Sequence, residues 1–173
     1  NAENGAQTYL ASYDKEGLLL APVQEFSPEG KKLAEYYFIG DKRHGVFRQW
    51  HPDGSIHVDF NYNHGNFEGE QKEYYPNGQL RVCAFYHNNI RDGSFEEWFE
   101  NGERSVRYEL KNGLKAGLCQ EWYENGPLKL EETYADGTLD KTRKEWHSNG
   151  VLAFSGDFIQ GKRQNIHKRW NEA

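Results

Sequence analysis

Six short segments ending in glycine recur along this chain at one spacing. FSPEG, WHPDG, YYPNG, WFENG, WYENG and WHSNG place Gly30, Gly54, Gly78, Gly102, Gly126 and Gly150 at steps of 24 residues. The aromatic four positions earlier keeps the step: Phe26, Trp50, Tyr74, Trp98, Trp122, Trp146, then Trp170. A second column runs Gly17, Asp41, Gly65, Asn89, Gly113, Gly137, Gly161. A third runs Gly45, Gly69, Gly93, Gly117, then changes to Lys141 and Asn165. Chance does not hold several columns in phase over six periods. The chain is a tandem array whose units bury their apolar surface against one another.

Each period reads as two strands and two turns. Pro-Asp-Gly and Pro-Asn-Gly suit a type I turn followed by a left-handed glycine, and the second turn again offers Gly, Asn or Asp where positive φ is cheap. Glycine recurs too often for helices. The first strand spans about residues 45–51 and the second about 55–62, repeating every 24. Strict alternation places Ile56, Val58, Phe60 and Tyr62 on one face, with Leu80, Val82, Ala84 and Tyr86, then Leu128, Leu130 and Tyr134, then Leu152, Phe154 and Phe158 in later units. His57, Asp59, Asn61, Arg107 and Glu109 take the other face. Trp50 and its equivalents are expected to stack on the apolar face. Glu132 falls on that face too, without a reason visible in the sequence.

The fold class expected is therefore all-β: an elongated, single-sheet antiparallel meander of tandem 24-residue β-hairpins. It would have about 13 strands and extend about 60 Å. Residues 13–173 form the array, about six and a half repeats, and residues 1–12 hold a tag scar (Asn1–Ala2) and an N-terminal leader or cap. Ala6–Tyr13 is expected to cover the first edge. At the other end, the cations of Asn165–Asn171 discourage edge-to-edge aggregation.

Low hydropathy (mean −1.01) with a net charge of −6 can indicate disorder, but an aromatic content of 15% argues for an ordered, thin core. The charge is uneven. Residues 51–140 carry 17 acidic and 8 basic side chains, and residues 141–173 carry 3 and 7. The acidic body argues against nucleic acid and anionic lipid as partners. Lys162, Arg163, Lys168 and Arg169 offer cations to an acidic partner. Cys83 and Cys119 fall three strands apart, roughly 14 Å, beyond disulfide reach, so two free thiols are expected.

Candidate functional residues lie in the columns that the sheet does not require. Glu73, Glu97, Glu121 and Glu145 form a carboxylate column, with Gln49 and Arg169 at its ends. They recur at about 10 Å on a surface expected to lack a cleft, and the bland reading is pairing to cations such as Arg81 or Lys129. Tyr75, Phe99 and Tyr123, flanked by His51 and His147, form a second column opposite the Trp ladder. Together the two columns are a candidate protein-binding stripe. The alternative is that the rings shield the sheet and support its turns. His51, His57 and Asp59 could share one hairpin face, but a metal needs more convergent ligands. No nucleophile–base pair or phosphate loop is present. The expectation is a non-enzyme without cofactor or metal, whose partner is another protein, with an oligomer possible.

Gly117-Leu-Cys-Gln-Glu-Trp122-Tyr123-Glu-Asn125-Gly126-Pro-Leu128, followed by Tyr134 and Gly137, shows the unit in full. This pattern resembles the MORN repeat, in the longer variant common in bacterial proteins, and extends over about residues 13–173. The resemblance implies an elongated β-meander used as an interaction module. Some bacterial members resemble the YwqK group, labelled antitoxin-like, and eukaryotic repeats are associated with membrane lipid and protein assembly. The resulting expectation is a protein-binding scaffold of the bacterial cell envelope. An antitoxin or immunity protein and a peripheral lipid-binding module are the alternatives. The absence of methionine suggests a trimmed chain, hence export to the periplasm or cell surface, or a cytoplasmic setting for an antitoxin.

Overall fold

A computed structural model describes residues 7–17 and 19–172. The described residues form no helix. The strands are β1 (Tyr9–Leu10), β2 (Val23–Phe26), β3 (Lys32–Ile39), β4 (Lys42–Trp50), β5 (Ile56–Asn63), β6 (Asn66–Phe67), β7 (Gly69–Tyr74) and β8 (Leu80–His87). They continue as β9 (Ile90–Trp98), β10 (Arg104–Lys111), β11 (Leu114–Trp122), β12 (Leu128–Ala135), β13 (Thr138–Leu139), β14 (Lys141–Trp146), β15 (Leu152–Ile159) and β16 (Lys162–Arg169). They hydrogen-bond in chain order into one open antiparallel sheet, with β6 on β5 and β13 on β12 beside the main path. Sixteen strands replace the expected thirteen because two first strands are interrupted, at Glu68 and Asp140, and because Tyr9–Leu10 adds a strand on β2. The Phe26 N–H also donates to the Thr8 carbonyl. Thr8–Leu10 therefore lies along the first edge, while Ala6 is outside the described residues.

Local chemistry sets both turns. In the first, the Gly54 N–H donates to the His51 carbonyl and the His51 N–H to the Ser55 carbonyl, with Gly54 at φ +94°. The same pair of bonds recurs at Ser27, Tyr75, Phe99, Tyr123 and His147. In the second, both central residues are left-handed from His64–Gly65 onward, as in Asn112 (φ 49°) and Gly113 (φ 79°), while at Gly40–Asp41 only the glycine is. This geometry matches the twist of the flanking strands. The third column also keeps its conformation where its residue type changes: Gly45 is at φ 76°, Lys141 at 71° and Asn165 at 56°. The period breaks there in chemistry and not in backbone.

That third column bends the strand. Tyr36 pairs with Phe47, but Phe38 pairs with Arg43, so extra residues of β4 bulge around Gly45. The same shift separates Arg107–Gln120 from Glu109–Ala116 and Ser155–Lys168 from Asp157–Gln164. The bend brings cations over the rings. The Arg43 guanidinium lies 4.6 Å from the Phe47 ring, Arg91 5.2 Å from Phe95, and the Lys115 ammonium 4.8 Å from Tyr108. A lone sheet thus acquires a roof of long side chains over its packed face, their stems covering apolar surface.

Register decides the faces, since directly paired residues share one. Phe47 pairs with Phe60, and Val58 pairs with Gln49 and with Glu73. Val106 lies between Glu97 and Glu121, and Leu130 between Glu121 and Glu145. The carboxylate column therefore shares the packed face, contrary to the alternation reading. The other face is a layer of polar pairs: Arg48–Asp59 (3.1 Å), Gln24–Glu35 (3.0 Å), Gln120–Glu131 (3.1 Å) and Thr142–Asp157 (2.9 Å).

The Trp ladder is likewise corrected. Between Gln49 and Trp50 the partner jumps from Val58 to Ile56, and equivalent shifts follow Glu25, Glu121 and Glu145. Such a bulge sets two residues against one. It leaves Trp50 on the charged face, where the Lys32 ammonium lies 5.0 Å from its ring and 2.6 Å from the Glu35 carboxylate. Arg104 likewise lies over Trp122. The rings that stack on the packed face are the Phe and Tyr columns.

The residues fall into two compact units: those up to Arg81 with Tyr86–Asn89, and Val82–Phe85 with those from Ile90 onward. In the first, rings succeed one another: Tyr36–Phe47 (5.9 Å), Phe47–Phe60 (6.3 Å), Phe60–Phe67 (5.4 Å) and Phe67–Tyr86 (5.3 Å). Gln71, 4% exposed, replaces Phe47 one period on. Its amide nitrogen donates to the carbonyls of Asn61, Glu68 and Gly69, and its oxygen accepts the Asn61 N–H, so the interrupted ladder is satisfied.

In the second unit Phe95 and Tyr108 stack at 4.7 Å, and then the columns turn polar. Glu132, 4% exposed, lies opposite Cys119, accepts the Tyr134 hydroxyl (2.7 Å) and pairs with Arg143 (2.8 Å). These partners are the reason a carboxylate is tolerated there. Burial and the Glu132 charge push the Tyr134 phenol far above its ordinary range. Neither cysteine forms a disulfide, and burial pushes the Cys119 thiol up, away from reactivity.

Candidate functional site

The first turns hold the candidate aromatic column and also join consecutive units. The Tyr123 hydroxyl donates to the Trp146 carbonyl at 2.8 Å. His51 Nε2 meets the Tyr74 carbonyl at 3.1 Å and His147 Nε2 the Trp170 carbonyl at 3.0 Å. A parallel set of ties comes from the turn asparagines. Asn101, Asn125 and Asn149 donate through Nδ2 to the carbonyls of Glu124, Ser148 and Glu172. Asn101 and Asn149 also accept, through Oδ1, the N–H two residues on. The sequence shows Asn in step with the period, but turn chemistry accounts for it there. The second bond, to the next period, requires the three-dimensional stacking of the turns.

The candidate carboxylates are mostly ion-paired. Glu73 pairs with Arg81, Glu121 with Lys129 at 3.1 Å and Glu145 with Arg143 at 2.8 Å. Glu97 lies opposite Val106, with no ion pair among the described residues. The bulge explains the first two of these pairings: it turns Arg81 and Lys129, which alternation would send to the charged face, toward the carboxylates. The same geometry brings His57 to His51, with ring centroids 4.4 Å apart. Burial, then the neighbouring His51, lower the His57 pKa. Asp59 bonds Arg48 on the opposite face, so these three do not converge on one point.

Three of the seven candidate residues come together. Glu121, Tyr123 and Glu145 line a groove of about 650 Å³ in the second unit. Lys129, Arg143, Arg169 and His147 share its walls, and Leu130 and Phe154 supply apolar surface. The surface was expected to lack a cleft, and this groove is the correction. Glu121 and Glu145 flank Leu130 from its two neighbouring strands, about 10 Å apart. Glu97 and Phe99 lie in the same unit outside the groove lining, and Glu73 and Tyr75 belong to the first unit. Sequence reading missed the cationic wall of Lys129, Arg143 and Arg169. Its signal was present as charges complementary to, or replacing, the carboxylate column.

The molecule is thus a tandem β-hairpin repeat protein with a mixed-charge groove on one face. A family model described as MORN repeat variant matches residues 43–64, 67–88 and 115–136. All three matches begin two residues before the bend column, at Arg43, Phe67 and Lys115, so the matched unit is one bent strand, its turn and the returning strand. No curated protein matches the chain. The three matched segments are similar to MORN repeats, which are generally protein- or membrane-interaction modules on a scaffold that is generally non-catalytic.

Proposed function

We propose that this chain is a non-enzymatic scaffold that docks another protein through the carboxylate–aromatic face of its second unit. The groove lined by Glu121, Tyr123 and Glu145 carries this reading. Its volume falls within the range of binding clefts, and its walls combine an aromatic ring, aliphatic surface and both charge signs, as recognition surfaces do. The carboxylates already have cationic partners, which favours recognition by shape and alternating charge over acid–base chemistry.

Site-specific photo-crosslinking tests it. A photoreactive phenylalanine analogue at Tyr123 should give one dominant protein adduct in the source cells, and the same group at Gln120 on the charged face should not. Tyr123→Ala with Glu145→Lys should weaken capture of that adduct protein about tenfold, or about 1.4 kcal/mol. Equal adducts from both faces, or capture unchanged by the double variant, would sink the docking face.

A further inference from the structure

We propose that Glu97, with the Phe99 ring and the Trp122 carbonyl, receives a lysine or arginine side chain of the docked protein. This deepens the docking-face reading and rests on it for the partner being a protein. The bulged residue before each Trp position decides how the carboxylate column is neutralised. Arg81 reaches Glu73 from that position, and Lys129 reaches Glu121 at 3.1 Å. At Glu145 the bulged residue is Ala153, and Arg143, two residues before Glu145 on the same strand, takes over at 2.8 Å. At Glu97 the bulged residue is Ser105, and two residues before Glu97 stands Phe95. Neither carries a charge. Glu97 is half-buried opposite Val106, with no ion pair and no side-chain hydrogen bond among the described residues. A carboxylate partly withdrawn from water without a donor favours an incoming cation.

The same period lacks a second donor. The Tyr123 hydroxyl donates to the Trp146 carbonyl, and His51 and His147 reach those of Tyr74 and Trp170. Phe99 has no polar tip, so the equivalent Trp122 carbonyl receives no side-chain donor among the described residues. One period on, the equivalents of Glu97, Phe99, Ser105 and Trp122 line a single groove: they are Glu121, Tyr123, Lys129 and Trp146. Val106 lies between Glu97 and Glu121 as Leu130 lies between Glu121 and Glu145. The same register therefore gathers the unfilled carboxylate, the unfilled carbonyl and the Phe99 ring around one position, with only the short Ser105 where Lys129 stands in the next period.

Two acceptors and a ring face suit a group that only donates. A lysine ammonium or an arginine guanidinium carries donors alone, and the ring adds cation–π attraction. The array itself uses both at this column, as Arg81 and Lys129. An acidic side chain would meet Glu97 with like charge, and an apolar one would leave its carboxylate unpaired. The surplus of acidic side chains over residues 51–140, 17 against 8 basic, draws a cationic segment toward this face. A free polyamine fits less well than a single side chain, because the flanking Glu73 and Glu121 are already neutralised.

The test is fluorescence anisotropy at low ionic strength with the full chain and a labelled Thr-Val-Lys-Val-Tyr-Thr peptide, alongside versions with arginine, norleucine or glutamate in place of the lysine. Saturable binding is expected for the lysine and arginine peptides and not for the other two. Glu97→Gln should weaken it about tenfold. Ser105→Lys restores the array's own cation opposite Glu97, so it should weaken the peptide as much and raise the urea midpoint. That rise should vanish when Glu97→Gln is added. Glu97→Gln carries the test if Ser105→Lys does not fold, since Ser105 is buried. Tyr123→Ala should change affinity less than about twofold. Four results overturn the proposal: no binding of the lysine peptide, equal binding of the norleucine peptide, binding indifferent to Glu97→Gln, or spermidine binding as tightly as the peptide. Lysine-peptide binding without a dominant adduct at Tyr123 would support the cation site and strike the groove, and a dominant adduct without peptide binding would do the reverse.

Discussion

The hairpins around Phe47 and around Cys119 have the same backbone and opposite interiors. Both place a bent strand under a long cation, with a returning strand on the same register. Around Phe47 the interior is a run of rings beneath Arg43. Around Cys119 it is a thiol, a buried carboxylate, a phenol and a guanidinium. The columns therefore do not demand an apolar residue. They demand that the volume be filled and every polar atom paired. A one-layer sheet allows this because the covering side chains, such as Lys115 and Arg143, are themselves polar at their tips and reach water.

This contrast breaks most directly at its aromatic pole. Phe47→Ala removes the central ring of the run and should cost about 3–4 kcal/mol in urea unfolding. A loss below about 1 kcal/mol would mean that the rings decorate the sheet without holding it. The polar pole is tested by Arg143→Met, which leaves Glu132 buried with Tyr134 alone. Destabilisation of about 2 kcal/mol is expected, below the value for a fully buried pair because the guanidinium is partly exposed. Combining it with Glu132→Leu should recover more than half of that loss. A double variant that adds the two losses would show the pair to be incidental. The smallest effect tests the shared backbone. Lys141 holds the left-handed conformation that Gly45 adopts freely, so Lys141→Gly should stabilise the chain by about 1 kcal/mol and raise the thermal midpoint. A destabilised variant would mean that the lysine side chain does more than occupy the bend.

Much of the architecture was legible because turns are local. The Pro-Asn-Gly and Asn-Gly signals correctly implied left-handed residues, the strand order followed from short connections, and the lack of a disulfide between the cysteines followed from strand spacing. The face assignment was not legible. Alternation assumes an unbroken ladder, and here each unit carries one bulge before the Trp position and another at the bend. The first sends Trp50 to the charged face and turns Arg81 and Lys129 toward the carboxylates. The second folds Arg43 over Phe47, a contact between residues that look like strand start and strand middle.

The candidate site shows the same division. Glu121, Tyr123 and Glu145 were visible as members of columns, because a column is a property of the period alone. Their meeting in one groove, the cationic wall beside them and the ties from Tyr123 and His147 to the next period depend on how successive hairpins stack. The amino-acid sequence by itself determined a tandem hairpin array, its turn conformations and its charge columns, since these depend on residues close in the chain. Tertiary structure alone decided which column faces which. Register shifts of one or two residues cannot be read from a side-chain pattern when both faces carry rings and charges. That same step turned Glu132 from an anomaly into a paired carboxylate.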